Sequence, residues 1–528
     1  MTRTGTVTVG AFATLGALVR IRALTAIREL TTIREFTRIR ALARIRALVR
    51  IREFNTIRAL STVLAIATLL TFLLPRSVSA ADPIVSPETI VVRPNGTESG
   101  PLPPSELTAP TDAPWAGDLW LPDRPAPEWT WRLQEALTWA ARRSDGAKPI
   151  RVLLLEGHHW LEPSAYLDPS CGNCEDPSTL VPASVGVVMT GSALRLVGPE
   201  RGEAVVHTRA GYGLLVEDCT DCEISNVVFT DGVRDTSGSA TDAALVVRRS
   251  SVRIAENTIR DNIGDPEIIQ DKIVGIIGIA GREGAKMRIE GNRILRNSWD
   301  GIALYRGAEA EIVDNEIDGV DLALGRTAGG GRGVGIGLTW NAKATVRGNR
   351  VARYWKGIGV FVDAQATVED NVVERIATWG LSLWDAGKGR PSARFLHNVV
   401  DSTGACGCSI VRESAELPAP GELRGNVFSR TGQNPKYDDG EPYCYQAAIA
   451  LHAAPETFRI GDNLLLDNRE PGGRPGSGDR DPATVGLTLA NLAARLAIYP
   501  AAAQSDFFTR HGMSPSGDWN WGREGMNR

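Results

Sequence analysis

Residues 345–373 read TVRGNRVARYWKGIGVFVDAQATVEDNVV, and the stretch repeats itself. Thr345-Val-Arg-Gly-Asn-Arg-Val returns 22 residues later as Thr367-Val-Glu-Asp-Asn-Val-Val, so that Asn371 answers Asn349. The same apolar-x-x-Asn-x-apolar unit surrounds Asn226, Asn257, Asn292, Asn315, Asn398, Asn426 and Asn463, with successive gaps along the whole series of 31, 35, 23, 34, 22, 27, 28 and 37 residues. The shortest gaps define a minimal turn, and the longer ones add an insertion. Between the Asn units a second strand opens on glycine, as in Gly301–Leu304, Gly335–Leu338, Gly357–Val360 and Gly380–Leu383. Ile302, Ile336 and Ile358 each precede the next Asn by 13 residues.

Short strands that alternate inward apolar with outward residues cannot bury their apolar side alone, but stacked turns can. The pattern therefore predicts an all-β solenoid of three strands per turn. An Asn amide both donates and accepts, so stacked Asn side chains are expected to form a ladder, each bond contributing about 1 kcal/mol. Asn also tolerates a left-handed backbone, and is expected to take the sharp corner itself. Nine such asparagines are separated by eight steps of about 4.8 Å, an axis of roughly 38 Å. These asparagines are read as structural, none as catalytic.

Composition agrees. Glycine makes up 55 of 528 residues, which suits many tight turns. The net charge of −4 conceals an asymmetry: residues 1–80 carry 13 Arg against 3 Glu, leaving 45 basic and 59 acidic residues, a balance of −14, in residues 81–528. An acidic body without a basic stripe repels phosphate backbones, so nucleic acid is not an expected partner.

The basic N-terminus repeats I-R-x-[LF]-x-x seven times from Ile21. Its apolar period of three drifts about 60° per step around a helix and builds no fixed face, so residues 21–62 are read as an extension without a folded role, a basic membrane-surface segment being the other reading. Val63–Leu74 is a short apolar run followed by Ser77-Val78-Ser79-Ala80, a signal-peptide pattern with cleavage near Ala80. The protein is expected to be secreted, periplasmic or on the cell surface, with no membrane span after cleavage. The domain reading is 1–80 extension and signal peptide, 81–130 Pro-rich segment, 131–470 coil with cap, and 471–528 tail.

The Asn corner, the spacing, and the segment Trp131–Pro163 (WRLQEALTWAARRSDGAKPIRVLLLEGHHWLEP) together resemble the right-handed parallel β-helix repeat superfamily, over about residues 84–470. The resemblance implies a right-handed parallel β-helix with an N-terminal capping helix around Trp131–Arg142. That superfamily contains pectate and alginate lyases, polygalacturonase-like hydrolases, epimerases, accessory proteins of periplasmic copper enzymes and phage tailspikes, so fold does not fix activity. The chain lacks the hydrolases' Asp-Asp pair with its Gly-His-Gly partner, the epimerases' Asp-Pro-His and the lyases' Trp-Asp-His.

Insertions follow the strand after Asn and precede the Gly-led strand: Val233–Thr241, Gly264–Lys272, Asp321–Arg332 and Thr431–Cys444. Loops entering at one corner wall one side of the Gly-led face. On that face, Ala303, Gly337, Gly359, Ser382 and Ser409 form a small column, and Tyr305, Thr339, Phe361, Trp384 and Val411 a larger one; Trp299, Trp355 and Trp379 lie just before the strands. A small floor between aromatic ridges suits a linear sugar chain, whose C–H faces stack on rings; rings that merely cover the core edge are the other reading.

Charged candidates near the floor are Asp300, Lys356, Arg306, Asp363, Asp385 and Arg412. Asp363 and Asp385 on adjacent turns are expected within about 5–8 Å, a spacing that suits a glycosidase pair or a Ca²⁺ site. For a lyase, Arg306, Lys356 or Arg412 would be the base; an Asp385–Arg412 surface pair is the plainer reading. The histidines His158, His159, His207, His397 and His452 fall on different turns, which argues against a histidine metal site. No cofactor is implied beyond that Ca²⁺.

Seven cysteines in an exported chain read as disulfide chemistry. Cys171–Cys174 and Cys219–Cys222 are expected as local pairs rather than as a zinc site. Cys408 takes the inward place of Ile302, Ile336 and Ile358 and is expected as a buried thiol. Cys406 is expected to bond Cys444, one strand spacing away. The functional reading is a polysaccharide or envelope glycan bound along the Gly-led face. The residues leave open whether that chain is also cleaved, by a lyase or hydrolase mechanism, and whether the protein is instead a non-catalytic accessory module or a structural surface solenoid.

Overall fold

A computed structural model describes residues 88–107, 128–239, 241–320, 329–411, 421–437, 446–452, 458–466, 468–470 and 474–475. The N-terminal extension and signal sequence, Arg412, Cys444 and nearly all of the 471–528 tail lie outside the described residues.

Each turn supplies one strand to each of three sheets. The first sheet takes the strand before Asn, such as Lys343–Arg347 and Gln365–Glu369; the second takes the strand after it, such as Arg350–Ala352 and Val372–Ile376; the third takes the Gly-led strand, such as Val334–Leu338 and Lys356–Phe361. Among the described residues the sheets hold 13, 13 and 11 strands. Neighbouring turns pair in parallel and in register: Val346 with Val368, Val351 with Val373, Ile336 with Ile358. The inward column Ile302, Ile336, Ile358, Leu381 and Cys408 runs through consecutive turns and is fully buried. Burying each large aliphatic side chain contributes about 1.5–3 kcal/mol of transfer free energy, which is what the alternating pattern encodes.

The helix Leu133–Arg143 places Leu133, Ala136, Leu137 and Ala140 at helical spacing on one side and buries them in the same core. Thr130 Oγ1 accepts from the Arg132 amide at 3.1 Å and donates to Glu135, which ties down the helix start.

The ladder is continuous over eight residues. Each amide Nδ2 donates to the next Oδ1 at 2.9–3.0 Å from Asn257 through Asn292, Asn315, Asn349, Asn371, Asn398 and Asn426 to Asn463. Two details differ from the sequence reading. Asn226 stands one place early: it is exposed, with φ +59°, and Val227 occupies the ladder position, its amide donating to Asn257 Oδ1. The left-handed corner belongs to the residue before each ladder Asn. Glu256, Gly291, Asp314, Gly348, Asp370, His397, Gly425 and Asp462 have φ between +54° and +69°. A corner residue in that region turns its side chain outward, leaving the next residue free to point its amide into the turn. A second, shorter ladder, Asn262 to Asn297 at 2.8 Å, follows the second-sheet strand.

Candidate functional site

One insertion decides how much of the Gly-led face is open. The hairpin Ser164–Asp168 and Val181–Ser192 joins the end of the third sheet. Its connecting loop, which carries the bonded pair Cys171–Cys174, lies over the outer side of the neighbouring turns. Asp168 is buried and anchors it, accepting from Arg248 Nη1 at 2.6 Å and Tyr212 Oη at 2.8 Å and pairing with Arg282. Farther along, Asn173 Oδ1 accepts from Trp340 Nε1 at 3.0 Å and Glu175 pairs with Lys388. Trp340, Lys388 and this strap were not singled out in the sequence, because a contact spanning 167 residues leaves no periodic trace. Cys219 and Cys222 are bonded at the turn between a third-sheet and a first-sheet strand.

The strap divides the candidate residues. Tyr305 and Ala303 are buried in a second apolar cluster with Tyr212, Leu215 and Val246, and Trp299 packs against it, its ring facing Arg332 at 5.5 Å. Tyr305 is thus not a free ridge. Arg306 is half-buried, its guanidinium 4.4 Å from the Trp340 ring centre; burial lowers its pKa, against the charges of Glu283, Asp363 and Asp176.

On the following turns the small column is in register as expected, with Gly337, Gly359, Ser382 and Ser409 side by side. Its purpose is partly to admit rings: a Cβ at Gly359 would meet Phe361 Cζ at 2.1 Å, so the Phe361 ring lies over the floor there. Phe361 pairs with Trp384 in register and meets it edge-on at 6.4 Å, and Trp379 meets Trp384 edge-on at 6.3 Å. Trp379 and Val411 are buried, Phe361 and Trp384 half-buried, and Trp355 is 37% exposed.

Four of these rings surround one cation. Lys356 Nζ lies 4.2 Å from the Trp379 ring centre, 4.6 Å from Trp355, 5.3 Å from Trp384 and 5.4 Å from Phe361. Such contacts contribute about 0.5–2 kcal/mol, more as water is excluded. Val334 stacks in register on Lys356, and its amide donates to Asp300 Oδ1 at 2.6 Å. Burial pushes the Asp300 carboxyl up to about 7, with the Val334 hydrogen bond and the Lys356 charge opposing.

The two other acids are not aligned. With Phe361 in register with Trp384, Asp385 follows Trp384 directly, whereas Asp363 lies two residues after Phe361. Asp363 Oδ1 accepts from the Asn341 amide at 2.6 Å, and Asp385, which is buried, accepts from the Gly387 amide at 3.0 Å. The two acids are therefore offset by one residue, and both follow the ends of their strands, Asp363 coming after Val362, whose φ is +61°. Among the described residues no group of three His, Cys, Asp or Glu could hold a metal ion.

A shallow hollow of 740 Å³ on the outer face of the first sheet is lined by Arg253, Lys286, Arg288, Glu309 and Glu311 among others. Many of its charges are paired across strands, Arg253 with Glu223 at 3.0 Å and Arg288 with Glu311 at 2.5 Å. The histidines are not all scattered. His158 and His207 sit on adjacent strands of the second sheet and touch, because the hairpin insertion accounts for most of the 49 residues between them.

A family model described as right handed beta helix region matches residues 203–325 and 278–426. Together the two matches span residues 203–426 of this chain, the turns whose three parallel sheets are described above. Among solved structures this β-helix is similar to pectate lyase Pel9A, at 12% identity over 78% of this chain and 85% of that one, with a TM-score of 0.33. It is similar also to the Streptococcus pneumoniae surface protein and adhesin PfbA, at 10% identity over 66% and 83% with a TM-score of 0.34. A mannuronic acid specific polysaccharide family 6 lyase from human gut microbiota aligns at 10% identity over 69% and 93%, with a TM-score of 0.32. No curated protein sequence matches the chain. Among the described residues of this β-helix no helix is long and apolar enough to cross a membrane.

Proposed function

We propose that this β-helix is exported and binds a polysaccharide or cell-envelope glycan along its Gly-led face, on the turns that carry Trp355, Lys356, Phe361 and Trp384. The observation that carries the reading is the gathering of four rings about the Lys356 ammonium, with Trp355 at the exposed edge. An exposed indole offers a stacking platform for a pyranose ring, and an ammonium held beside it offers a partner to a sugar carboxylate. An acidic glycan fits that pair better than a neutral one. Gly337 carries the small column on beyond the rings; the atoms nearest an added Cβ there are those of Val334, at 3.5–3.9 Å.

Binding without cleavage is favoured by what the nearby acids already do. Asp300 is buried against the Val334 amide, and Asp363 and Asp385 are offset, each with an oxygen committed to a backbone amide. A glycosidase pair needs two carboxyls facing one bond. A glycan array probed with the secreted chain, run beside an assay for the ultraviolet absorbance of unsaturated uronate and for new reducing ends, tests both halves. Retention of an acidic polymer without product is expected. Product formation would overturn the non-catalytic half, and failure to retain any glycan would overturn the whole reading.

A further inference from the structure

On the outer face of the second sheet, His158, His207 and Asp231, the residue that follows the strand Val228–Thr230, form a hydrogen-bonded chain. His207 Nδ1 lies 2.5 Å from Asp231 Oδ2, and His207 Nε2 lies 2.9 Å from His158 Nδ1. Strand register explains the meeting: Val205 pairs with His158 and His207 with Trp160, so the two imidazoles are diagonal neighbours on one outer face. The His207 ring is clamped. Trp160 stacks on it at 3.9 Å with an interplanar angle of 3°, and its side chain is 7% exposed. The two imidazole centres are 5.2 Å apart, which sets the rings edge to edge through the facing nitrogens.

We propose that His158 and His207 bind a divalent transition-metal ion between His158 Nδ1 and His207 Nε2, with Asp231 holding His207 in the ligating tautomer. Imidazole nitrogen is a preferred donor for such ions, and a ligating histidine characteristically donates its other ring N–H to a carboxylate, as His207 is placed to do. In the metal-free chain one proton lies between the facing nitrogens. On binding it moves from His158 Nδ1 to His158 Nε2, so that both facing nitrogens present lone pairs and no net proton is lost. The facing nitrogens and ring centres lie nearly on one line, so metal–nitrogen bonds of about 2.0–2.1 Å require the nitrogens to part by roughly 0.5–1.2 Å and the His158 ring to swing its lone pair onto the ion. His158 is half-buried and has room to move where His207 has not. Asp231 is 46% exposed, so solvent reaches the site and water completes the coordination shell, no third such side chain joining the pair among the described residues. The nearby Arg209 guanidinium stacks over Trp160 at 5.9 Å and attracts Asp231, which selects for an ion bound by neutral imidazole rather than by charge alone.

The test is titration of the untagged, metal-stripped secreted chain with Zn²⁺, followed calorimetrically, beside His158→Gln, His207→Gln and Asp231→Asn. One equivalent is expected to bind the wild type. His158→Gln, a change at a half-buried site that leaves the Trp160 stack in place, should weaken that equivalent at least tenfold, and Asp231→Asn should weaken it by about 10- to 100-fold. Loading with Cu²⁺ instead should give an electron paramagnetic spectrum with coupling to two nitrogens, reduced to one in His158→Gln. Absence of Zn²⁺ binding to the wild type, or equal binding by wild type and a folded His158→Gln variant, would overturn the proposal.

Discussion

The Lys356 ammonium lies 4.2 Å from the centre of the Trp379 ring, although the two residues belong to successive turns. The contact joins the third-sheet strand to the segment leading into the next one, and three further rings close round the same charge. Replacing Lys356 with Met keeps the stem packed on the rings and removes the charge. We expect a loss of about 0.5–2 kcal/mol in stability from the cation–π contacts. We also expect salt to cease weakening the retention of an acidic glycan. Retention that stays salt-dependent in Lys356→Met would place the binding charge elsewhere.

Trp355→Ala separates binding from folding. With 37% of the residue exposed, its removal should change stability by no more than about 0.5–1 kcal/mol while reducing glycan retention at least tenfold. A melting temperature that falls steeply with no change in retention would make Trp355 a cover for the core edge.

Asn349→Leu strikes the ladder. Asn349 accepts from the Asn315 side chain and backbone amide and donates to Asn371, Ile312 O and Arg347 O. A leucine leaves buried donors and acceptors unpaired, each costing about 1–3 kcal/mol. Urea unfolding should show a loss of at least that size, and an unchanged midpoint would mean that water reaches the corner.

Asp300 sets a pH dependence whose sign follows from its burial. Its carboxyl is raised from 3.8 to about 7, so between those values the folded chain keeps a proton that the unfolded chain has released. Its contribution to stability is therefore greatest at low pH and is lost as pH rises through the folded value. Asp300→Asn cannot ionise, and its urea midpoint should fall less than that of the wild type between about pH 5 and pH 8. Parallel pH profiles for the two proteins would show that the carboxyl is hydrated.

Cys408 is fully buried in the inward column, and burial pushes its thiol well above the usual range. It should resist thiol reagents until the protein is denatured. Peptide mapping without reduction is expected to recover a Cys406–Cys444 peptide; Cys406 pairs in register with Ala447, three residues after Cys444. A Cys408–Cys444 peptide would contradict that register.

The coil, its turn length, the three strands per turn, the inward column ending at Cys408 and the small outer column from Ala303 to Ser409 are all visible in the sequence of this protein. They are properties of alternation within a turn, and stacking repeats the same local choice at a fixed interval. Which residue takes the left-handed corner was less legible, because Asn tolerates that backbone and the Gly, Asp, Glu or His before it varies from turn to turn. The tertiary structure alone decided that Tyr305 is buried in the apolar cluster on which the hairpin residues Tyr166 and Ala183 pack, and that Lys356 stands inside a ring of aromatics. It also decided that His158 and His207 meet. Each of these depends on how an insertion packs or on the register between turns of unequal length. A shift of one residue in a strand sends a side chain to the other face, and the spacing of apolar residues does not record where an insertion of arbitrary length comes to rest.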